Sequence, residues 1–209
     1  MIDLYTWGTP NGRKASIMLE ETGLEYQTHK INILEDDQFK PEFLKISPNN
    51  KIPAIVDTDT GINMMESGAI LLYLAEKTGQ FMPADEAGRW QVMEWLMWQM
   101  GGFGPMLGQA HHFLHFQKGK AEYAEGRYEK EAQRLYKVLN ARLGESEYLA
   151  GADFTIADIA TWPWTTRYTW QQIDFADYPN VKRWYAAIAG RPAVVRGYGV
   201  PNPAEIPIP

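Results

Sequence analysis

Short extended runs and helical groupings alternate along the N-terminal part of the chain. Residues 2–7 read as a strand, and Gly8-Thr9-Pro10-Asn11-Gly12 follows as a strong turn signal. In 13–22 the apolar residues Ala15, Ile17, Met18 and Leu19 group as on a helix, with Gly23 placed as its C-terminal cap. Residues 26–33 alternate loosely, so strand, helix and strand favour a parallel pair joined by a crossover. The polar stretch 35–46, with Phe39, Phe43 and Leu44, predicts a short or irregular helix. A polar turn, Ser47-Pro48-Asn49-Asn50, leads into the apolar run 52–56, a strand with Pro53 at its start, where a missing N–H is tolerated. The turn Asp57-Thr58-Asp59-Thr60-Gly61 returns the chain as a second hairpin strand over 62–65. The helix formers of 69–77 come next, with Ser67 placed as N-cap and Gly79 beyond the end. The order βαβ-α-ββα predicts a small α/β domain over 1–80.

Residues 81–88 read as a linker, and 89–200 as an all-helical domain. Its first helix carries Trp90, Met93, Trp95, Leu96, Met97 and Trp98, and is expected to break or kink at Gly101-Gly102-Phe103-Gly104-Pro105. Residues 121–144 form a long amphipathic pattern through Tyr128, Ala132, Leu135, Val138, Leu139 and Leu143. Thr155 to Asp158 reads as a capping box, with Phe154 and Ile159 as its hydrophobic staple. Residues 179–189 are the last clear helix, and 201–209 form a Pro-rich tail, an extended arm or a mobile end.

The composition is that of a globular chain, with 45% hydrophobic residues over 209 positions. A net charge of -6 argues against nucleic acid or an anionic membrane as partner. There is no cysteine, which excludes disulfides, a thiol nucleophile, Fe–S clusters and thiolate metal sites, and suits a reducing cytoplasm. No signal peptide or membrane-length apolar run is visible, so a cytoplasmic location is expected.

The chemistry gathers in 47–79, where a strand edge stands beside a helix start that offers N–H groups and a positive dipole end to an anion. A small peptide with a free carboxylate suits both. Thr9-Pro10-Asn11, Asn49-Asn50-Lys51-Ile52-Pro53, Glu66-Ser67 and the capping box together resemble the cytosolic glutathione transferases over essentially the whole chain. The finer patterns TPNGRK, SPNNKIPAIVD, ESGAILLYLAEKTG and GGFGPMLGQAHHF are similar to the bacterial nu class, disulfide-bond reductases related to the yeast prion protein's transferase domain. The resemblance implies a thioredoxin-like α/β domain plus an all-α domain, glutathione as co-substrate, a homodimer and no metal.

It also implies roles for particular residues. Pro53 is cis, and the Ile52 backbone pairs with the cysteinyl unit of glutathione, which is peptide recognition by strand addition. Ser67 holds the γ-glutamyl carboxylate and Glu66 the γ-glutamyl amine, while Lys51 and Gln38 face the glycyl carboxylate. Arg127 matches a second-domain arginine that reaches a glutathione carboxylate. Thr9 and Asn11 stand where the family places its sulfur contacts, and a hydroxyl or amide donor there lowers the thiol pKa. Without the resemblance, Thr9 to Gly12 is simply turn chemistry, Ser67 a helix cap and Lys51 a solvated charge. Tyr5 falls inside the first strand and reads as core, and Ser16 is a weaker candidate. His111, His112 and His115 lack a carboxylate or cysteine to complete a metal set and read as cleft or interface residues, and Gly102, Gly104 and Gly108 do not make a phosphate loop. The expected activity is reduction of small disulfides by two glutathiones. Conjugation of small electrophiles and a non-catalytic interaction module are the alternatives.

Overall fold

Strand β1 (Ile2–Thr6) buries Ile2, Leu4 and Thr6 on one face and turns Asp3 and Tyr5 to the other. A computed structural model describes all residues, 1–209. Tyr5 is half-buried rather than a core residue. It stacks on His29 at 4.5 Å, and His29 in turn meets the Asp3 carboxylate at 2.9 Å. Helix α1 (Pro10–Thr22) starts on Thr9, whose hydroxyl oxygen accepts from the Gly12 N–H, and stops at Gly23 in the left-handed conformation, φ 68°. Strand β2 (Tyr26–Lys30) lies parallel to β1. The segment expected to be irregular holds a 3₁₀ turn, Asp37–Phe39, and one turn of helix, α2 (Pro41–Leu44).

Strands β3 (Ala54–Asp57) and β4 (Ile62–Met65) close an antiparallel hairpin, and the mixed sheet has the order β2-β1-β3-β4 with β1 antiparallel to β3. Helix α3 (Ser67–Thr78) packs beside α1. Ile17, Met18 and Leu19 of α1 and Ile70, Leu71 and Leu74 of α3 are fully buried with Leu4 and Ile55, and this apolar layer is the core of a thioredoxin-like unit. A buried carboxylate ties the hairpin to α3. Asp57 accepts from Tyr73 Oη at 2.5 Å and pairs with Lys77 Nζ at 2.8 Å.

A second unit is helical. Helix α4 (Glu86–Trp98) is capped by Asp85, whose carboxylate accepts from the Gly88 N–H. The chain does not break after α4. It passes through a π turn at Gln99–Phe103 into α5 (Gly104–His111), then through another at His112–Phe116. The wider π turn accommodates Pro105, which has no N–H to give to the preceding turn. A Cβ at position 104 would stand 2.6 Å from Gln99 Nε2 and 3.3 Å from the Trp164 ring, so glycine there permits close packing.

Helix α6 (Glu122–Glu145) buries Ala132, Leu135, Leu139 and Leu143 of the predicted stripe, adds Tyr136 to it, and leaves Tyr128 and Val138 half-buried. Helix α7 (Ile156–Thr165) begins with the expected capping box. The buried Asp158 carboxylate accepts from the Thr155 and Leu149 N–H groups and from Trp184 Nε1. Phe154 packs edge-on to Phe81 and Tyr148. Helix α8 (Pro179–Ala189) supplies Trp184 and Tyr185 to the same core. The tail is an anchored arm at its end, where Tyr185 and Tyr168 donate to the Pro207 and Ile208 carbonyls.

Chain contacts divide the structure into Met1–Gln80 with Ala189–Ile206, and Phe81–Ile188 with Pro207–Pro209. The returning segment contains α9 (Pro192–Tyr198), which packs on α1. Gly197 permits this approach, since a Cβ there would lie 2.6 Å from Ile17 Cα. Ser16 donates to the Gly197 carbonyl at 2.7 Å, the Arg13 guanidinium lies 3.5 Å from the Tyr198 ring centre, and Arg191 and Arg196 pair with Glu21 and Glu20. Ser16 thus serves helix packing.

Burial alone would raise the Asp57 pKa, but the hydrogen bonds from Lys77 and Tyr73 outweigh it and hold the carboxyl at about 2. A depressed folded-state value gives stability that is complete above the unfolded value of about 4 and lost as pH falls through the folded one. Asp57→Asn is expected to lower the melting temperature at neutral pH and to flatten its decline between about pH 4 and pH 2. Equal slopes for the two proteins in a thermal-melt series would contradict this account.

Candidate functional site

In the first unit the turn before β3 and the start of α3 enclose a cleft of about 140 Å³. Asn11, Lys51, Ile52, Pro53, Glu66 and Ser67 line it, together with Ser47, Asn49 and Met65. The turn is held by the buried Ser47, whose hydroxyl donates to the Lys51 carbonyl at 2.8 Å, and by Asn50 in the left-handed region, φ 49°. The Ile52–Pro53 peptide bond is cis. The sheet ladder begins at Ala54, so the Ile52 peptide groups stand beyond its end and take no hydrogen bond within the chain. They are a short open edge for an extended peptide.

Ser67 is not the expected N-cap of α3 but its first helical residue. Glu66 occupies the N-cap position, and its side chain makes no cap. Its backbone is at φ 74°, ψ 109°, a conformation that costs a non-glycine residue about 1–3 kcal/mol. The twist leaves the Glu66 side chain exposed and places the buried Ser67 and Gly68 at the first two positions of the helix. The first-turn N–H groups have no intrahelical acceptor, and the dipole end is positive. The sequence signal that suggested Ser67 as N-cap, a serine before an apolar helical run, does not separate the N-cap from the position after it.

The Ser67 hydroxyl is engaged by a residue that the motifs did not single out. Lys14, on α1 and only 1% exposed, approaches Ser67 Oγ with its Nζ at 3.2 Å. On an otherwise amphipathic helix its burial has no sequence signal beyond its place in TPNGRK.

Thr9 lies outside the residues that line the cleft, at the start of α1. Its oxygen accepts from Gly12, and the hydroxyl proton remains available to donate, so capping and a second contact are compatible. Gln38 is also outside the lining. Its amide donates weakly to Asp36 at 3.4 Å, and its Oε1 is buried without a hydrogen-bond partner. Arg127 belongs to the second unit, in a groove of about 960 Å³ with Met106, Tyr123, Tyr128, Lys130 and Arg134.

The histidines do different work. His111 is buried, stacks on Trp164 and takes a hydrogen bond from the Gln171 amide at 2.9 Å, while Gln171 accepts from Tyr136. Burial, then Arg167 and His115, pushes the His111 pKa down to about 4, so the ring is neutral at physiological pH. His115 stacks on Trp170 at 4.2 Å, and His112 is exposed. No three His, Cys, Asp or Glu residues stand close enough to hold a metal ion, and no helix is long and apolar enough to cross a membrane.

The sequence and the fold correspond to those of known proteins. Residues 9–77 match the glutathione S-transferase N-terminal domain and residues 100–192 its C-terminal domain. The disulfide-bond oxidoreductase YfcG of Escherichia coli is 54% identical over 198 residues, covering 92% of each chain. A Burkholderia graminis glutathione transferase, solved with two glutathione molecules per subunit, superposes with a TM-score of 0.89 at 46% identity over 96% of this chain and 88% of its own. One from Pseudomonas putida, solved with one glutathione disulfide per subunit, gives 0.91 at 43% identity over 96% and 92%. The chain belongs to the glutathione S-transferase family.

Glu66→Gly removes the backbone strain at the α3 start and is expected to raise stability by about 1 kcal/mol relative to Glu66→Ala, measured by denaturant unfolding. Equal stability of the two variants would show that φ at this position is not strained.

Proposed function

We propose that the protein reduces small disulfides with glutathione. The observation that carries this reading is the cleft itself. It joins the open Ile52 peptide edge, the uncapped start of α3 and charges of both signs, Lys51 and Glu66, in a chain without cysteine. A γ-glutamyl tripeptide matches each part. Its cysteinyl backbone extends the β3 edge at Ile52, its α-carboxylate meets Ser67 and the α3 N-terminus, its α-amine meets Glu66, and Lys51 and Gln38 attend the glycyl carboxylate. Thr9 and Asn11 are the donors to sulfur.

The reaction needs no protein thiol. A bound glutathione thiolate attacks one sulfur of the substrate disulfide, forming a mixed disulfide and releasing a thiolate that takes up a proton. A second glutathione thiolate then attacks the glutathione sulfur of the mixed disulfide, giving oxidised glutathione and the second reduced thiol. Each molecule of disulfide thus consumes two glutathiones. Thr9 and Asn11 increase the thiolate fraction by donating hydrogen bonds to the anion. The ligands of the Burkholderia and Pseudomonas relatives, two glutathiones and glutathione disulfide, are the co-substrate and product of such a reaction, and the name of YfcG agrees with it.

Thr9→Ala and Asn11→Ala are each expected to lower kcat/KM for 2-hydroxyethyl disulfide on the order of 10²-fold, the usual cost of one preorganised anion donor. Thr9→Ala also loses a helix cap, about 1 kcal/mol, so Thr9→Ser is its control. The assay couples oxidised glutathione to glutathione reductase, beside conjugation of a chloro-nitroaromatic. Faster conjugation than disulfide reduction would favour the transferase activity instead.

A homodimer belongs to the same proposal. Trp90 and Met97, 66% and 48% exposed, make an apolar stripe with the half-buried Met93 along one face of α4. Trp90→Glu is expected to shift sedimentation from dimer to monomer with the fold retained, and an unchanged dimer would place the interface elsewhere.

A further inference from the structure

Resting on the glutathione reading of the cleft, we infer that Lys14 is a positioning residue for the ligand's α-carboxylate, its ammonium charging the start of α3 from behind Ser67 and holding a proton when the ligand is bound. The geometry is specific. Lys14 projects from α1 toward α3, is buried, and meets Ser67 Oγ at 3.2 Å, while Ser67, itself 4% exposed, also lines the cleft. Ser67 is therefore shared by a buried ammonium and the cleft that would hold the anion. A ligand carboxylate that donates nothing and accepts from Ser67 would orient that hydroxyl outward, leaving its lone pairs to Lys14.

The surrounding charges leave this role to Lys14. On α1, Glu20 and Glu21 pair with Arg196 and Arg191 of α9, and Arg13 lies over Tyr198. On α3, Lys77 pairs with Asp57, and on β1 Asp3 meets His29. Glu66 is the ionised group that acts on Lys14. Burial pushes the Lys14 ammonium down to about 7, and Glu66 counters part of that effect. In the ligand-free protein the group is therefore half-charged near neutrality. An anion at the start of α3 favours the charged form and draws a proton from solution. By linkage, the protonated protein binds the ligand more tightly, so affinity is highest below about pH 7 and falls as pH rises through that value. A lysine that merely joins α1 to α3 would support stability and leave affinity independent of pH.

The test is calorimetric titration of the intact protein with S-methylglutathione, whose blocked sulfur does not titrate, near pH 7.5 in buffers of different ionisation heat. Wild type is expected to take up a fraction of a proton on binding, with Kd rising on the order of tenfold between about pH 6.5 and pH 8.5. Lys14→Met keeps the bulk without the charge and is expected to show a flat Kd at the wild-type high-pH level and no proton uptake. Lys14→Arg, a fixed cation, is the second variant, also without uptake. Wild-type binding without proton uptake overturns the inference irrespective of the variants, as does uptake that persists in either of them. In both cases the glutathione reading stands. Absence of any S-methylglutathione binding by wild type at millimolar concentration overturns that reading as well.

Discussion

Much of the first unit is arranged around one helix terminus left without a side-chain cap. In the same chain Thr9, Asp85 and Thr155 close the starts of α1, α4 and α7 with side-chain oxygens. At α3 the N-cap residue is Glu66, twisted to a positive φ, and its carboxylate makes no cap hydrogen bond to the helix backbone. First-turn donors need an acceptor from somewhere. The cleft supplies room for one, with the Ile52 edge on one side and the Glu66 carboxylate on another. On the proposed glutathione reading, the strain at Glu66 and the missing cap share one explanation, a ligand anion that completes the helix.

The rest of this unit fixes the position of that terminus. Asp57 binds Tyr73 and Lys77, so the hairpin turn is tied to the far half of α3. Ser47 locks the turn that presents Lys51 and Ile52. On the other side, α9 holds α1 through Gly197, Ser16 and two arginine–glutamate pairs, and α1 carries Thr9, Asn11 and Lys14. Three separate devices therefore hold the elements that frame the cleft, as the proposed positioning of a tripeptide there requires.

Local chemistry made much of this legible in the sequence. Proline and glycine punctuation marked the strands and α1, and the Thr155–Asp158 spacing marked the box at α7, because each depends on neighbours in the chain. The cleft residues between Ser47 and Ser67 were legible for a related reason. They come from one continuous turn–hairpin–helix segment and need only Asn11 from elsewhere. Illegible features were those set by distant partners. Burial of Lys14 depends on α3 packing over α1, and the return of α9 depends on Gly197 fitting against Ile17. The π turns around α5 hid behind glycines and Pro105 that read as a break. Ser67 was displaced by one position because a left-handed Glu66 has no composition signal.

A chain that lends no sulfur to a thiol reaction must act on its co-substrate's sulfur through fields and hydrogen bonds alone. Its overall charge is unhelpful here: at -6 the protein repels a peptide that is itself net negative, more so once the thiolate forms. Local cations must overcome that field where the anionic groups sit. On the proposed reading, Lys51 does so as an exposed, screened charge, whereas Lys14 acts from a dry position where Coulomb interactions are far stronger. A permanently charged group buried there would destabilise the empty protein. A lysine that is half-charged near neutrality while the cleft is empty and fully charged once the carboxylate arrives avoids part of that cost, and arginine, always charged, does not. On this argument the choice of lysine at position 14 is itself chemical: the site needs a cation only while it holds an anion.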